Sequence, residues 1–576
     1  MYDRFPCVEA GSASECLTGW ARIGAHLHER VGARGKLVVE CYPGVHLAEV
    51  ERGLRQALPE ACFIDANALL RSPEEIGAML EPVLGGDPVF GRMNTIEIAD
   101  FLDAEKLAEA QKQCAQDDAA VVVIGTGASL VCPASDVLAY ADLARWEIQM
   151  RQRRNESGNF GAENLEETPS LKYKRSFFVD WRSADRLKMR LFDHIGVLLD
   201  TSVPGYPKAI SGEVFRRCLR DVVRRPFRVV PFFDPGPWGG HWMERVCGVP
   251  AGDAPNHAWC FDCVPEENSL LLGFGAERVE VPSINLVLAH PQELLGNVIV
   301  ERFGAEFPIR FDFLDTVGGG NLSLQVHPLP SFIREHFGMD YTQDESYYML
   351  DAEPGACVYL GLKEGVDKSA MLRDLHRAQE EDFDFPAGQY VNRFPAKKHD
   401  HFLIPAGTVH CSGKDSMVLE ISATPYIFTF KLWDWGRVGL DGRPRPIHLR
   451  YGEANIQWSR TTEWVRRSLI NRVEATASGE GWREERTGLH ELEFIETRRH
   501  WFTGTVPHDT KGTVHVLNLI EGDAAVVESP TDAFAPFVVH YAETFIIPAA
   551  VGPYTIRPCT PNPARELGTI QARVRV

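Results

Sequence analysis

The segment NLSLQVHP (321–328) decides how the second half of the chain is read. Gln325 and His327 stand two apart in a strand-like run, so both side chains leave the same face. DESYYMLDAEPGA (344–356) follows, with Glu345 near the start of another alternating run. HFLIPAGTVHCSG (401–413) is a strand, a Pro–Gly turn and a second strand that carries His410. One amide oxygen, one carboxylate and two imidazoles on neighbouring strands make a divalent metal site. Imidazole with carboxylate suits zinc, with a position left for water or substrate.

Working outward, the texture beyond residue 232 is all-β, with short strands and frequent Gly and Pro. Helical periodicity is confined there to about 365–381. A second β block runs from about 485 to 576. Residues 1–200 read differently. KLVVECY (36–42), CFID (62–65) and AAVVVIG (119–125) are strands. HLAEVERGLRQAL (46–58), PEEIGAMLEPVL (73–84) and DAEKLAEAQKQCAQ (103–116) have helical spacing. This alternation predicts a parallel sheet covered by helices. Between the two lies a connector with Pro–Gly breakers and the basic helix EVFRRCLRDVVRR.

With 576 residues, the chain needs about three domains. Sixty basic against 80 acidic residues give a net charge of −20. That argues against nucleic acid or an anionic membrane as partner, while a local Arg/Lys cluster can still hold an anionic small molecule. The N-terminal sequence shows no signal-peptide pattern, and no apolar run is long enough for a bilayer. Thirteen scattered cysteines indicate reduced thiols and a cytoplasmic protein. The lone CxxC, Cys260 and Cys263, is read as chance spacing. The oligomeric state is not legible.

These blocks resemble the class I mannose-6-phosphate isomerases, a cupin family. FDPGPWGGHWMERV (233–246) is similar to the family's opening WGG block, and ELLGNVIVERFGAEFPIRFDFLD (293–315) to the approach to its metal strand. WDWGRVGLDGRPRPIHL (433–449) looks like the block with its catalytic arginine. The resemblance implies a zinc enzyme with Gln325, His327, Glu345 and His410 as ligands and Arg437 as the catalytic arginine. It implies Ser323 and Arg443 as phosphate contacts, and interconversion of mannose 6-phosphate and fructose 6-phosphate through an enediol. A non-phosphorylated sugar, or a non-catalytic sugar-binding role, is the alternative. The chain departs from the family pattern at several points. Gln343 and Asp312 stand where lysines are usual, HPLP replaces HPDD, and LEISATPYIFTF replaces a glutamine pair.

GKLVVECYPGVHLAEVERGL has the strand–loop–helix outline of a nucleotide kinase but lacks G-x-x-x-x-G-K-[ST], so the lysine and hydroxyl that hold phosphate and magnesium are missing. ADLARWEIQMRQRRN (141–155) resembles a uridine-kinase-like segment; Arg151, Arg153 and Arg154 are read as a solvated basic face. The expected layout is a degenerate kinase-like α/β domain (1–205), a connector (206–232), an isomerase-like cupin domain (233–480) and a C-terminal cupin (481–576), the last two forming a β-jelly-roll module.

Overall fold

The structure is a computed structural model and describes residues 2–115, 119–381, 383–423, 426–488, 490–560, 562 and 564–576. The chain forms two compact units. One is α/β and spans Cys7–Val222 together with Pro265–His290. The other is built on β-sheets and holds the residues up to Pro6, Val223–Val264 and Pro291–Val576. The boundaries therefore differ from the expected layout in two ways. The connector helix, Gly212–Val222, belongs to the α/β unit. So does a segment from within 233–480, because its hairpin Ser269–Phe274/Glu277–Pro282 is completed by the N-terminal strand Cys7–Gly11, which pairs parallel to Ser269–Phe274.

The main sheet of the α/β unit has seven strands in the spatial order Cys16–Thr18, Lys208–Ser211, Val197–Asp200, Val137–Asp142, Lys36–Cys41, Val121–Gly125, Cys62–Asp65. The last five are parallel to one another; Lys208–Ser211 runs antiparallel to them, and Cys16–Thr18 at the edge runs antiparallel to Lys208–Ser211. Leu37, Val39, Val122 and Ile124 put alternate side chains into one core with Ile23, Leu27 and Leu54 from the covering helices, the arrangement that a parallel sheet buried on both faces needs. The helices expected over 46–58 and 73–84 form as Leu47–Ala57 and Pro73–Leu84, the latter capped by Ser72, whose side chain accepts from Glu75 N. That expected over 103–116 forms as Ala104–Cys114; Gln116 lies outside the described residues. Arg151 is no part of a solvated face. It is fully buried and donates to the carbonyls of Gly44 and Thr201. Arg154 is exposed and paired with Glu147 and Glu156.

The β unit contains two pairs of sheets. In the first pair, a six-stranded antiparallel sheet runs in the order His401–Ile404, Glu345–Ala352, Ser416–Ser422, Arg310–Asp315, Trp259–Cys263, Phe232–Asp234. Its companion has five strands: Val391–Pro395, Cys357–Leu362, His410–Ser412, Leu324–Val326, Phe430–Trp433. The C-terminal pair has six and four strands around Phe502, Leu517, Leu519, Phe545 and Ile556. Helical structure beyond 232 is more widespread than 365–381, where Lys368–Glu380 forms. Trp242–Cys247, Asn297–Phe303, Pro330–Phe337, Leu449–Asn455 and Thr462–Ser468 are also helical. Each is two turns or so, too short for a 3.6-residue period to show in the sequence. No helix among the described residues is long and apolar enough to cross a membrane.

His401 marks a pH limit of this unit. Its ring is fully buried with neither nitrogen bonded. Burial, reinforced by Arg499, pushes its pKa from 6.5 down to about 3. The unfolded chain takes up this proton near 6.5 while the fold resists until about 3, so stability is lost as pH falls through that window. The loss is on the order of a few kcal/mol at about 1.4 kcal/mol per pH unit. Denaturant unfolding at a series of pH values should show it, and His401→Leu should flatten the curve; an unchanged slope in the variant would assign the acid lability elsewhere.

Candidate metal centre

Gln325 and His410 are Cα partners in adjacent antiparallel strands of the five-stranded sheet. Glu345 opens the strand Glu345–Ala352 of the six-stranded sheet, and His327 follows the short strand Leu324–Val326. The three acid and imidazole groups converge. Glu345 Oε2 lies 3.1 Å from His327 Nε2, and Glu345 Oε1 lies 2.7 Å from His410 Nε2. Among the described residues these three form the only such cluster, with ligand atoms within 4.8 Å of one another. The Gln325 amide is 3.3 Å from His410 Nε2; its oxygen and nitrogen exchange places on a flip of the amide.

The donor set fits a divalent ion. His327 Nδ1–H donates to the Phe428 carbonyl at 2.9 Å and His410 Nδ1–H to the Thr408 carbonyl at 2.8 Å. That fixes the tautomer with Nε2 as the free lone pair, the usual support for a ligating histidine. His327 Nε2 and Glu345 Oε1 are buried polar atoms with no hydrogen bond, which a bound cation would satisfy. Burial would raise the Glu345 carboxyl, but with no cation bound the two rings, as imidazolium donors through Nε2, outweigh it and hold the group well below the carboxylate range. Gln343 is built into this cluster. Its amide donates to Glu345 Oε2 at 3.0 Å and its oxygen accepts from Phe428 N at 3.1 Å, so one side chain steadies both Glu345 and the peptide segment that orients His327.

Beside the centre lies a cavity of about 180 Å³. Trp238 and Trp259, with ring centroids 4.7 Å apart, form one wall. Ser323 and Gln325 line it, as do Arg310, Asp312, Glu420, Lys431 and Arg445. Asp312 and Glu420 are directly opposed across adjacent strands. Burial, and then the facing Asp312, raise the Glu420 carboxyl well above its ordinary value. Burial likewise pushes Asp312 up to about 6, with Arg310 Nε 3.4 Å away opposing the shift. Burial and the neighbouring Arg445 lower Lys431 to about 7. Sequence reading singled out neither Glu420, Lys431, Arg445 nor Arg310; the only local signal was a charged residue on an otherwise apolar strand, as in SMVLEIS. Residues 424–425 of the divergent LEISATPYIFTF stretch lie outside the described residues.

Arg443 does not reach the cavity. It is exposed on the turn closed by the bridge Val438–Pro444, and Arg445 lines the cavity in its place. Arg437 is part-buried at the edge of this region. Its guanidinium donates to Asp434 Oδ1 at 2.7 and 3.1 Å and to the Asn321 carbonyl at 2.5 Å. Asp434 also accepts from Arg445, at 3.1 Å. All thirteen cysteines are free, and Cys260 and Cys263 are buried.

The chain is similar to curated mannose-6-phosphate isomerases. It is 29% identical over 214 residues to the mannose-6-phosphate isomerase of Streptococcus mutans serotype c, a match to 37% of this chain and 61% of that protein. To mannose-6-phosphate isomerase ManA of Bacillus subtilis it is 24% identical over 230 residues, 39% of this chain and 66% of the relative. The match thus spans under two thirds of either relative. A crystal structure of the Bacillus subtilis mannose 6-phosphate isomerase aligns with 61% of this chain and 99% of its own, at 17% identity and a TM-score of 0.48. Residues 19–224 match a family described as a domain of unknown function (DUF8485). That region holds a cavity of about 450 Å³ at the carboxyl ends of three parallel strands, lined by Tyr42, Gly44, Asn67, Thr126 and Phe160, among others, and by no lysine.

Proposed function

We propose that the chain is a zinc-dependent aldose–ketose isomerase of the mannose-6-phosphate type, interconverting mannose 6-phosphate and fructose 6-phosphate in the first pair of cupin-like sheets of the β unit. The observation that carries this reading is the buried cluster of His327, Glu345 and His410, with Gln325 alongside and also lining a cavity whose walls hold both carboxyl and cationic groups. Zinc held by these four residues would polarise the substrate oxygens as a Lewis acid. The chain's own groups supply the rest. Isomerisation moves a proton between adjacent carbons, and Glu420 is the carboxyl we assign to that transfer, with Asp312 opposite it setting its affinity for the proton. Trp238 and Trp259 close one side of the cavity against water. We assign Ser323, which lines the cavity, to contact the substrate, and give Arg445 the role the resemblance gave to Arg443.

Arg437 is assigned to offset charge on the enediolate, fixed by Asp434 until substrate arrives. Arg437→Ala should lower turnover by about 10²–10³-fold with metal content unchanged, since such stabilisation acts mainly in the transition state. Normal turnover in that variant would make Arg437 a structural tie between Asp434 and Asn321. The reaction itself is tested with zinc-loaded protein and either mannose 6-phosphate or free mannose, following ketose formation and exchange of solvent deuterium into the sugar. No exchange into either would leave the non-catalytic binding reading. Exchange into mannose alone would select the second reading, an isomerase of neutral sugars, which Asp312 in place of a lysine favours. For residues 7–222 we propose a degenerate kinase-like domain with a structural, regulatory or binding role, and for the whole chain residence in the cytoplasm, where its thiols stay reduced.

A further inference from the structure

The cavity beside the metal centre contains one cation that the protein itself does not neutralise. Three cationic side chains line it, from three separate segments: Arg310, Lys431 and Arg445. Two of them have carboxylates at hand. Arg310 Nε is 3.4 Å from Asp312 Oδ1, and Arg445 NH1 is 3.1 Å from Asp434 Oδ2. Lys431 stands on the strand Phe430–Trp433, in register with Gln325 on the neighbouring strand. Among the described residues its ammonium has no hydrogen bond and no ion pair. A largely buried charge without a partner is costly to keep, and a site that receives an anion is where a protein keeps one. Asp312 bears on the same point. Where the resembling family carries a lysine, this chain has a carboxylate, but Arg310, two residues earlier on the same strand face, sits against it. The Arg310–Asp312 pair is close to neutral overall and Arg445 is paired with Asp434, so the cation of the cavity left without a carboxylate in contact is Lys431.

We infer that Lys431, flanked by Arg445 and Arg310, receives the phosphate ester of the substrate, in place of the lysines absent at positions 312 and 343. This rests on reading the cavity as a sugar-phosphate site, and it assigns the residue that would make the site prefer a phosphorylated over a neutral sugar.

The experiment uses full-length, zinc-loaded protein and three probes that cannot isomerise: inorganic phosphate, 1,5-anhydromannitol 6-phosphate and 1,5-anhydromannitol. Calorimetric titration of K431M should show both phosphate probes bound about 10–100-fold more weakly, the effect of losing a charge-assisted hydrogen bond, with the neutral probe unaffected. K431R should bind the phosphates within a few-fold of the parent protein, because the charge is kept. Equal affinities in K431M and parent, or an equal loss for the neutral probe, would overturn the assignment. If the parent protein binds the phosphates but isomerises no sugar, the isomerase reading fails and this one stands. If it binds neither phosphate, this one fails whatever the turnover.

Discussion

Protein carrying His410→Ala, purified without a metal-chelating tag, is expected to contain less than about a tenth of a zinc per chain, and His327→Ala to behave alike. An open site has few protein ligands to spare. His410 is completely buried, its Nδ1 is committed to the Thr408 carbonyl, and its Nε2 is 2.7 Å from Glu345. Alanine removes the ligand and also leaves the Glu345 carboxylate with one imidazole fewer in a buried setting, so zinc-free variant should be less stable than zinc-free parent. Two readouts separate these effects. Elemental analysis reports the metal, and the rise in melting temperature on adding zinc reports binding by linkage. In the parent protein zinc should raise the melting temperature; in His410→Ala it should not. Stoichiometric zinc in both variants would remove these histidines from the centre.

The second large effect is expected at Glu420. Glu420→Gln keeps the shape and a hydrogen-bonding head but cannot carry the proton, so turnover should fall by about 10²–10⁴-fold while zinc content holds. Glu420 lines the cavity and faces Asp312 from the next strand. Removing one of two opposed carboxyls should also relieve repulsion, so a small gain in stability accompanies the loss of activity. Steady-state kinetics with zinc restored to saturation measures the first, thermal unfolding the second. Unaltered turnover would place the proton-transfer group elsewhere in the cavity.

The metal cluster was legible in the sequence because most of its information is local. A two-residue spacing fixes Gln325 and His327 on one side of a strand, and a Pro–Gly turn presents His410. The charged groups that line the neighbouring cavity were not, because they come together through pairing between distant strands. Asp312 is brought to Glu420, and Lys431 to Gln325, only once the sheets have formed. Arg443 and Arg445 show how fine the limit is. They stand only two positions apart, yet Arg443 is exposed on the turn while Arg445 lines the cavity. Gln343 reads in the sequence as a missing positive charge. In the structure it braces Glu345 and Phe428, so Gln343→Lys alone would loosen the metal centre as well as add charge. The parallel sheet of the first unit was plain from its alternating runs, but the unit's second segment, Pro265–His290, was hidden in a stretch with β texture of its own.

That inserted hairpin has a consequence for how the protein is made. A ribosome releases residues 7–222 first, yet the strand Cys7–Gly11 has no sheet to join until Ser269–Phe274 has emerged. By then the stretch Val223–Val264, which belongs to the other unit, is already outside and waiting for strands still to be translated. Neither unit can finish in the order of synthesis, so each passes through a period with an unpaired strand edge, the kind of surface that aggregates and that chaperones hold. A gene truncated between the two units would not give a complete domain on either side of the cut.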